Sequence, residues 1–144
     1  ALRADQPLDL LVLPELPFTG NVWESRDEVR PFAETSDGPT FSWASRVARA
    51  HCTFVLVGFV ERAGEQLHNS AMLVAPDGTF AGVARKTALS ANDERWATAA
   101  TGAASMPVFE TPRFRLGVGV CKDVSAVQEG AAPGEHALDA GFRR

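Results

Sequence analysis

A thiol, a carboxylate and an amine each stand at the end of an apolar run in this 144-residue chain. Cys121 closes residues 114–121 (FRLGVGVC) and is followed by Lys122 and Asp123. A thiol at the point where a buried strand gives way to charge is placed to be a nucleophile, and a nearby cation favours its thiolate. On residue type alone, a buried structural cysteine is the commoner outcome. Glu15 follows Pro14 at the end of residues 8–13 (LDLLVL), and Lys86 follows Arg85 at the end of residues 79–85. The carboxyl ends of strands are where α/β folds carry their reactive groups. Singly, each of the two also reads as an ordinary surface charge. Together, three strand ends bearing Glu, Lys and Cys permit a thiol hydrolase without establishing one.

Other groups carry less. Cys52 is adjacent to His51, but neighbours in an extended segment point to opposite faces, so the pair is no dyad and Cys52 reads as core. His51, His68 and His136 show no metal-ligand spacing with each other or with the cysteines, which argues against zinc. Glu94 falls in the first turn of an expected short helix over residues 93–100, where the helix dipole alone accounts for an acid. Gly117-Val118-Gly119 ends a strand and lacks the third glycine of a dinucleotide fingerprint.

The elements that must position these groups follow from pattern. Residues 8–13 and 53–60 (TFVLVGFV) read as strands buried on both faces. Between them, residues 21–38 read as a long surface excursion. A helix follows, with Thr40 as N-cap and Phe41, Ala44, Val47, Ala48 and His51 on one face. Pro76-Asp77-Gly78 is a turn between strands at 70–75 and 79–85. Residues 114–121 form the last strand. The order strand, helix, strand, hairpin, short helix, strand argues α/β, with helices packed on a sheet. Residues 125–144, rich in Gly and Ala, read as a divergent or disordered tail.

Composition narrows the class. One domain of ordinary globular composition is implied by 45% apolar and 22% charged residues. A net charge of -4 without a basic run is unsuited to nucleic acid. No apolar run approaches membrane-spanning length. Two cysteines make no disulfide framework, so a reducing, cytoplasmic location is the default.

Three stretches, in order, resemble the carbon–nitrogen hydrolase (nitrilase) superfamily: residues 8–20 (LDLLVLPELPFTG), 68–89 (HNSAMLVAPDGTFAGVARKTAL) and 114–123 (FRLGVGVCKD). A finer likeness, in PFAE at 31–34, Gly38-Pro39-Thr40, Trp43-Ala44, CTFVLVGFVE at 52–61 and NDERWA at 92–97, is to the protein N-terminal amidase branch, which deamidates N-terminal Asn or Gln. The resemblance implies an α-β-β-α sandwich, of which residues 1–124 form a partial domain. It implies Cys121 as nucleophile, Glu15 as general acid and base, and Lys86 with a backbone N–H near Lys122 as oxyanion stabilisers. Glu94 then helps to position the lysine and the substrate, and Lys122 lies beside the substrate. The implied substrate is an amide, on protein N-termini or small molecules. No cofactor or metal is implied, and homo-oligomerisation of a complete form is left open. Two departures stand out. Lys122 occupies a position the family often fills with a bulky residue, and residues 125–144 match none of the family's continuation. Two rival readings follow: a small-molecule amidase or nitrilase, or an inactive fragment retaining only a binding role.

Overall fold

A computed structural model describes residues 7–102 and 105–128. Its centre is a four-stranded sheet ordered β1 (Leu10–Val12), β2 (Phe54–Ala63), β3 (Gln66–Val74), β4 (Phe80–Arg85). β1 runs parallel to β2, and the other pairs are antiparallel. Between β1 and β2 lie a short helix α1 (Arg26–Val29), a 3-10 turn at Arg30–Phe32, and the longer α2 (Pro39–His51). A two-stranded ribbon, β5 (Val108–Glu110) with β6 (Arg115–Gly117), precedes α3 (Lys122–Gln128).

Strand alternation sends side chains to two faces, and each face is covered. On one, Val55, Val57, Phe59, Met72 and Val74 pack against Ala44 and Ala48 of α2. On the other, Ala71 and Ala84 meet Val118 and Val120, with Leu56, Phe109 and Leu116 alongside. The result is three layers: helix, sheet, ribbon. That is the mixed α/β architecture the sequence implies.

Several boundaries differ from expectation. β1 is an edge strand, not one buried on both faces: Val12 is 58% exposed. β2 continues to Ala63 and turns through Gly64 (φ 61) directly into β3, so one long hairpin spans the interval between the expected strand limits at 60 and 70. Pairing makes this tolerable. Glu61 on β2 accepts from Arg85 Nε (2.7 Å) and Nη2 (2.6 Å) on β4, and from Ser70 Oγ (2.7 Å) on β3. Burial opposes the Glu61 charge, but these donors outweigh it and hold its pKa below the ordinary value.

Gly38 is the N-cap of α2, with Pro39 at its first position. Thr40 therefore lies inside the helix, its N–H and hydroxyl both donating to Glu34 (2.7 and 2.8 Å). Cys52 is exposed rather than core. It takes the left-handed conformation (φ 50) that ends α2, which turns its side chain outward and leaves Thr53 as the buried residue. The surface excursion at 21–38 buries Val29 completely. The last strand is shorter than residues 114–121, because only Arg115–Gly117 pairs with a neighbour. The segment read as a tail begins inside α3. Residues 129–144, including His136, lie outside the described residues.

Candidate active site

Glu15 leaves β1 through Pro14 on a turn pressed against the middle of β2. A Cβ on Gly58 would lie 2.6 Å from Leu16 N and 3.3 Å from Glu15 Cα, so this approach requires glycine. The next residue, Leu16, takes φ 44 and buries its side chain among Val29, Val60, Leu67 and Trp96. The turn is thus anchored on both sides of the carboxylate.

Lys86 follows β4. Its N–H donates to the Asn69 carbonyl (2.8 Å), and its own carbonyl accepts from Ala100 N–H (2.9 Å). The side chain is 1% exposed and lies between two carboxylates, Nζ being 2.7 Å from Glu15 Oε1 and 2.8 Å from Asp93 Oδ2. Burial works against the ammonium, but Asp93 and Glu15 outweigh it and hold the Lys86 pKa above its ordinary value. Burial likewise opposes the Asp93 charge, while Lys86, Ser90 and Asn69 reverse the balance and lower its pKa. Asn69, buried on β3, donates to Glu15 Oε1 (2.7 Å) and Asp93 Oδ1 (3.0 Å). Glu15 Oε1 therefore accepts from both Lys86 and Asn69, which leaves Oε2 as the oxygen able to exchange a proton.

Cys121 faces this cluster from the turn between the ribbon layer and α3. It carries φ 49, a conformation costly for any residue but glycine. Burial, the Glu15 charge and hydrogen bonding to Glu15 push its thiol pKa upward against Lys86 and the Lys122 N–H. The sequence-based expectation of a favoured thiolate is therefore reversed, because burial and the carboxylate beside the sulfur together outweigh the cation. A cleft of about 120 Å³ opens between Glu15, Asn69 and Cys121, floored by Leu56, Gly58 and Ala71.

Two anticipated residues lie elsewhere. Glu94 is exposed, since the expected helix over 93–100 is only a 3-10 turn at Asp93–Arg95. Ser90 donates from N (2.9 Å) and Oγ (2.6 Å) to Asp93 Oδ2, which turns Asp93 inward instead. The Lys122 side chain is exposed and reaches Leu89 O (3.0 Å), so only its backbone N–H attends the sulfur. Sequence reasoning missed Asn69, Asp93 and Asp123. The only available signal was position: all three lie inside quoted motifs, and Asp123 stands two residues past the thiol. Asp123 is buried. Its Oδ1 accepts from Thr87 N (2.9 Å), Thr87 Oγ1 (2.7 Å) and Ala88 N (2.7 Å), and its Oδ2 from Val120 N (2.9 Å).

Glu15 and Lys86 follow β1 and β4 of the sheet, and Cys121 meets them from the turn beyond the ribbon. The chain belongs to the carbon–nitrogen hydrolase family, whose pattern it matches over residues 1–127. Among individual relatives, it is 34% identical over 119 residues to a nitrilase of Pyrococcus abyssi, covering 82% of this chain and 44% of that protein. It is 27% identical over 131 residues to the protein N-terminal amidase of Schizosaccharomyces pombe, covering 85% of this chain and 45% of the relative. Among solved structures, an N-terminal amidase superposes with a TM-score of 0.74 at 23% identity, covering 83% of this chain and 32% of that one. A carbon–nitrogen hydrolase from Helicobacter pylori superposes with a TM-score of 0.72 at 25% identity, covering 91% and 44%. The chain spans less than half the length of these relatives. Among the described residues, no helix is long and apolar enough to cross a membrane.

Proposed function

We propose that the chain carries the reacting groups of an amidase that releases ammonia from a carboxamide through a Cys121 thioester. The observation that supports this most is the shared carboxylate: Glu15 is fixed at Oε1 by Lys86 and Asn69 while the Cys121 thiol faces it. A thiol with a raised pKa needs a base at the moment of attack, and Glu15 is that base. The Cys121 proton passes to Glu15 as sulfur bonds to the carboxamide carbon. Lys86 Nζ and the Lys122 N–H stabilise the resulting oxyanion. Glu15 returns the proton to the departing nitrogen, and ammonia leaves with formation of the thioester. Water, deprotonated by Glu15, then attacks the thioester carbon, and the carboxylic acid and the free thiol are released.

We take the substrate to be N-terminal Asn or Gln of peptides. The N-terminal amidases in both comparisons support this, including a structure described as holding an Asn-Glu-Ala peptide. The nitrilase of Pyrococcus abyssi supports a second reading, hydrolysis of a small nitrile or amide. The test is ammonia release by the full chain from Asn- and Gln-terminated peptides, the same peptides N-acetylated, and a panel of free amides and nitriles. Release from free-amine peptides alone is expected. Release only from nitriles or free amides would favour the second reading. No release from any of them would leave a binding role as the reading.

A further inference from the structure

Resting on that reading, we infer that Asp123 is a positioning residue that locks the nucleophile turn to the segment bearing Lys86. Its carboxylate bridges two chain segments more than 30 residues apart. One oxygen takes three donors from Thr87 and Ala88, immediately after Lys86. The other takes the N–H of Val120, immediately before Cys121. The residue is 2% exposed, so all four bonds are shielded from water. Buried hydrogen bonds to an ionised acceptor are about twice as strong as neutral ones. Cys121 needs such a hold because its φ of 49 is unfavourable and the segment before it, residues 118–120, belongs to no strand. Released, the turn would relax and carry the sulfur away from Glu15. Asp123 is not among the residues that line the cleft. It acts by fixing the distance between the sulfur and the Glu15–Lys86 pair.

The discriminating variant is Asp123→Asn. An amide has one acceptor oxygen, and three donors outnumber one, so that oxygen faces Thr87 and Ala88. The NH2 group then meets the Val120 N–H, and only the tie to the nucleophile turn is lost. A misplacement of about 1 Å in a reacting group can lower the rate about 100-fold. The full chain carrying Asp123→Asn is expected to show kcat reduced about 10- to 100-fold with KM within about twofold. Iodoacetamide labelling of Cys121 is expected to reach half its maximum at a lower pH than in the parent, because the Glu15 carboxylate no longer bears on the sulfur. Cys52, exposed and remote, is the internal reference. A lowered melting temperature with kcat and the Cys121 labelling profile unchanged would overturn the inference and leave a structural role only. Should the parent release no ammonia, the functional reading fails, while the labelling profile still decides the role of Asp123. If Asp123→Asn does not fold, Asp123→Glu carries the same test. It keeps both oxygens on an arm one methylene longer, displaces the turn, and is expected to lower kcat with KM held.

Discussion

Alanine at Gly58 is the sharpest perturbation the geometry offers. The added Cβ would lie 2.6 Å from Leu16 N and 3.2 Å from Pro14 O, both backbone atoms that cannot rotate away. Ordinary contact begins at 3.4 Å, so the Glu15 turn must retreat by about 0.8 Å or the strand must bow. Overpacking of this kind costs roughly 1–3 kcal/mol. Reduced freedom of the unfolded chain returns about 0.4–1 kcal/mol. The net loss of about 0–2.6 kcal/mol lowers the melting temperature by up to about 8 °C in a domain of this size. The kinetic effect is the larger one. Moving Glu15 by nearly 1 Å relative to Cys121 is expected to reduce kcat by about 10²-fold. The assay pairs thermal melting with ammonia release from an Asn-terminated peptide. Gly64→Ala is the control: φ there is 61, but a Cβ meets nothing within 4 Å, so about 1 kcal/mol of backbone strain is expected with kcat unchanged. Parental melting and parental kcat in Gly58→Ala would refute the claim that close backbone contact positions Glu15.

Glu15→Gln removes the charge that disfavours the Cys121 thiolate, so half-maximal labelling by iodoacetamide is expected at a lower pH while ammonia release falls about 10²–10⁴-fold; an unmoved labelling profile would separate the two residues. The Lys86–Asp93 pair makes stability depend on pH in both directions. The Asp93 pKa is lowered on folding, so its contribution is present above the unfolded value near 3.8 and is lost as pH falls through the folded value. The Lys86 pKa is raised, so its contribution is present below the unfolded value near 10.5 and is lost as pH rises through the folded one. Melting temperature is expected to plateau between those limits, and Asp93→Asn to flatten the acid side; an unchanged acid limb would count against the pair. Because Asp93 and not Glu94 meets Lys86, Asp93→Ala is expected to cost about 1–3 kcal/mol by leaving Lys86 with Glu15 alone and the Asn69 and Ser90 donors without their acceptor, and Glu94→Ala less than about 0.5, as read from denaturant melts.

Glu15, Lys86 and Cys121 were legible because each terminates an apolar run, and ends of runs are a one-dimensional feature. The packing of a helix on a sheet was legible because the α2 stripe states which face is apolar; the ribbon layer was not, since Val108–Glu110 was not read as a strand. Asp93 was not legible because choosing it over Glu94 is a matter of one residue. A three-residue 3-10 turn directed by the Ser90 hydrogen bonds rotates the side chains away from the α-helical register that the pattern implied. Cys52 was misread because burial follows residue type only where the backbone permits, and the end of α2 needed a left-handed residue. The β2–β3 hairpin was read short because Glu61 ends the apolar run, and its partner Arg85 stands 24 residues away. Asp123 carried no periodicity at all. Its meaning lies in joining donors of a distant segment to the Val120 N–H.

The edge position of β1 has a bearing on how such a site wears out. On its upstream side Glu15 hangs on three paired residues, tied by the Leu13 N–H to Leu56 O and the Phe54 N–H to Asp9 O at its two ends, whereas Lys86 is enclosed by chain on both sides. Short edge strands open at a free energy well below that of global unfolding. Heating or mild denaturant is therefore expected to detach the base while β2, β3 and β4 stay intact. Hydrolysis would then fade before any optical signal of melting, and amide exchange at Leu13 would mark its onset.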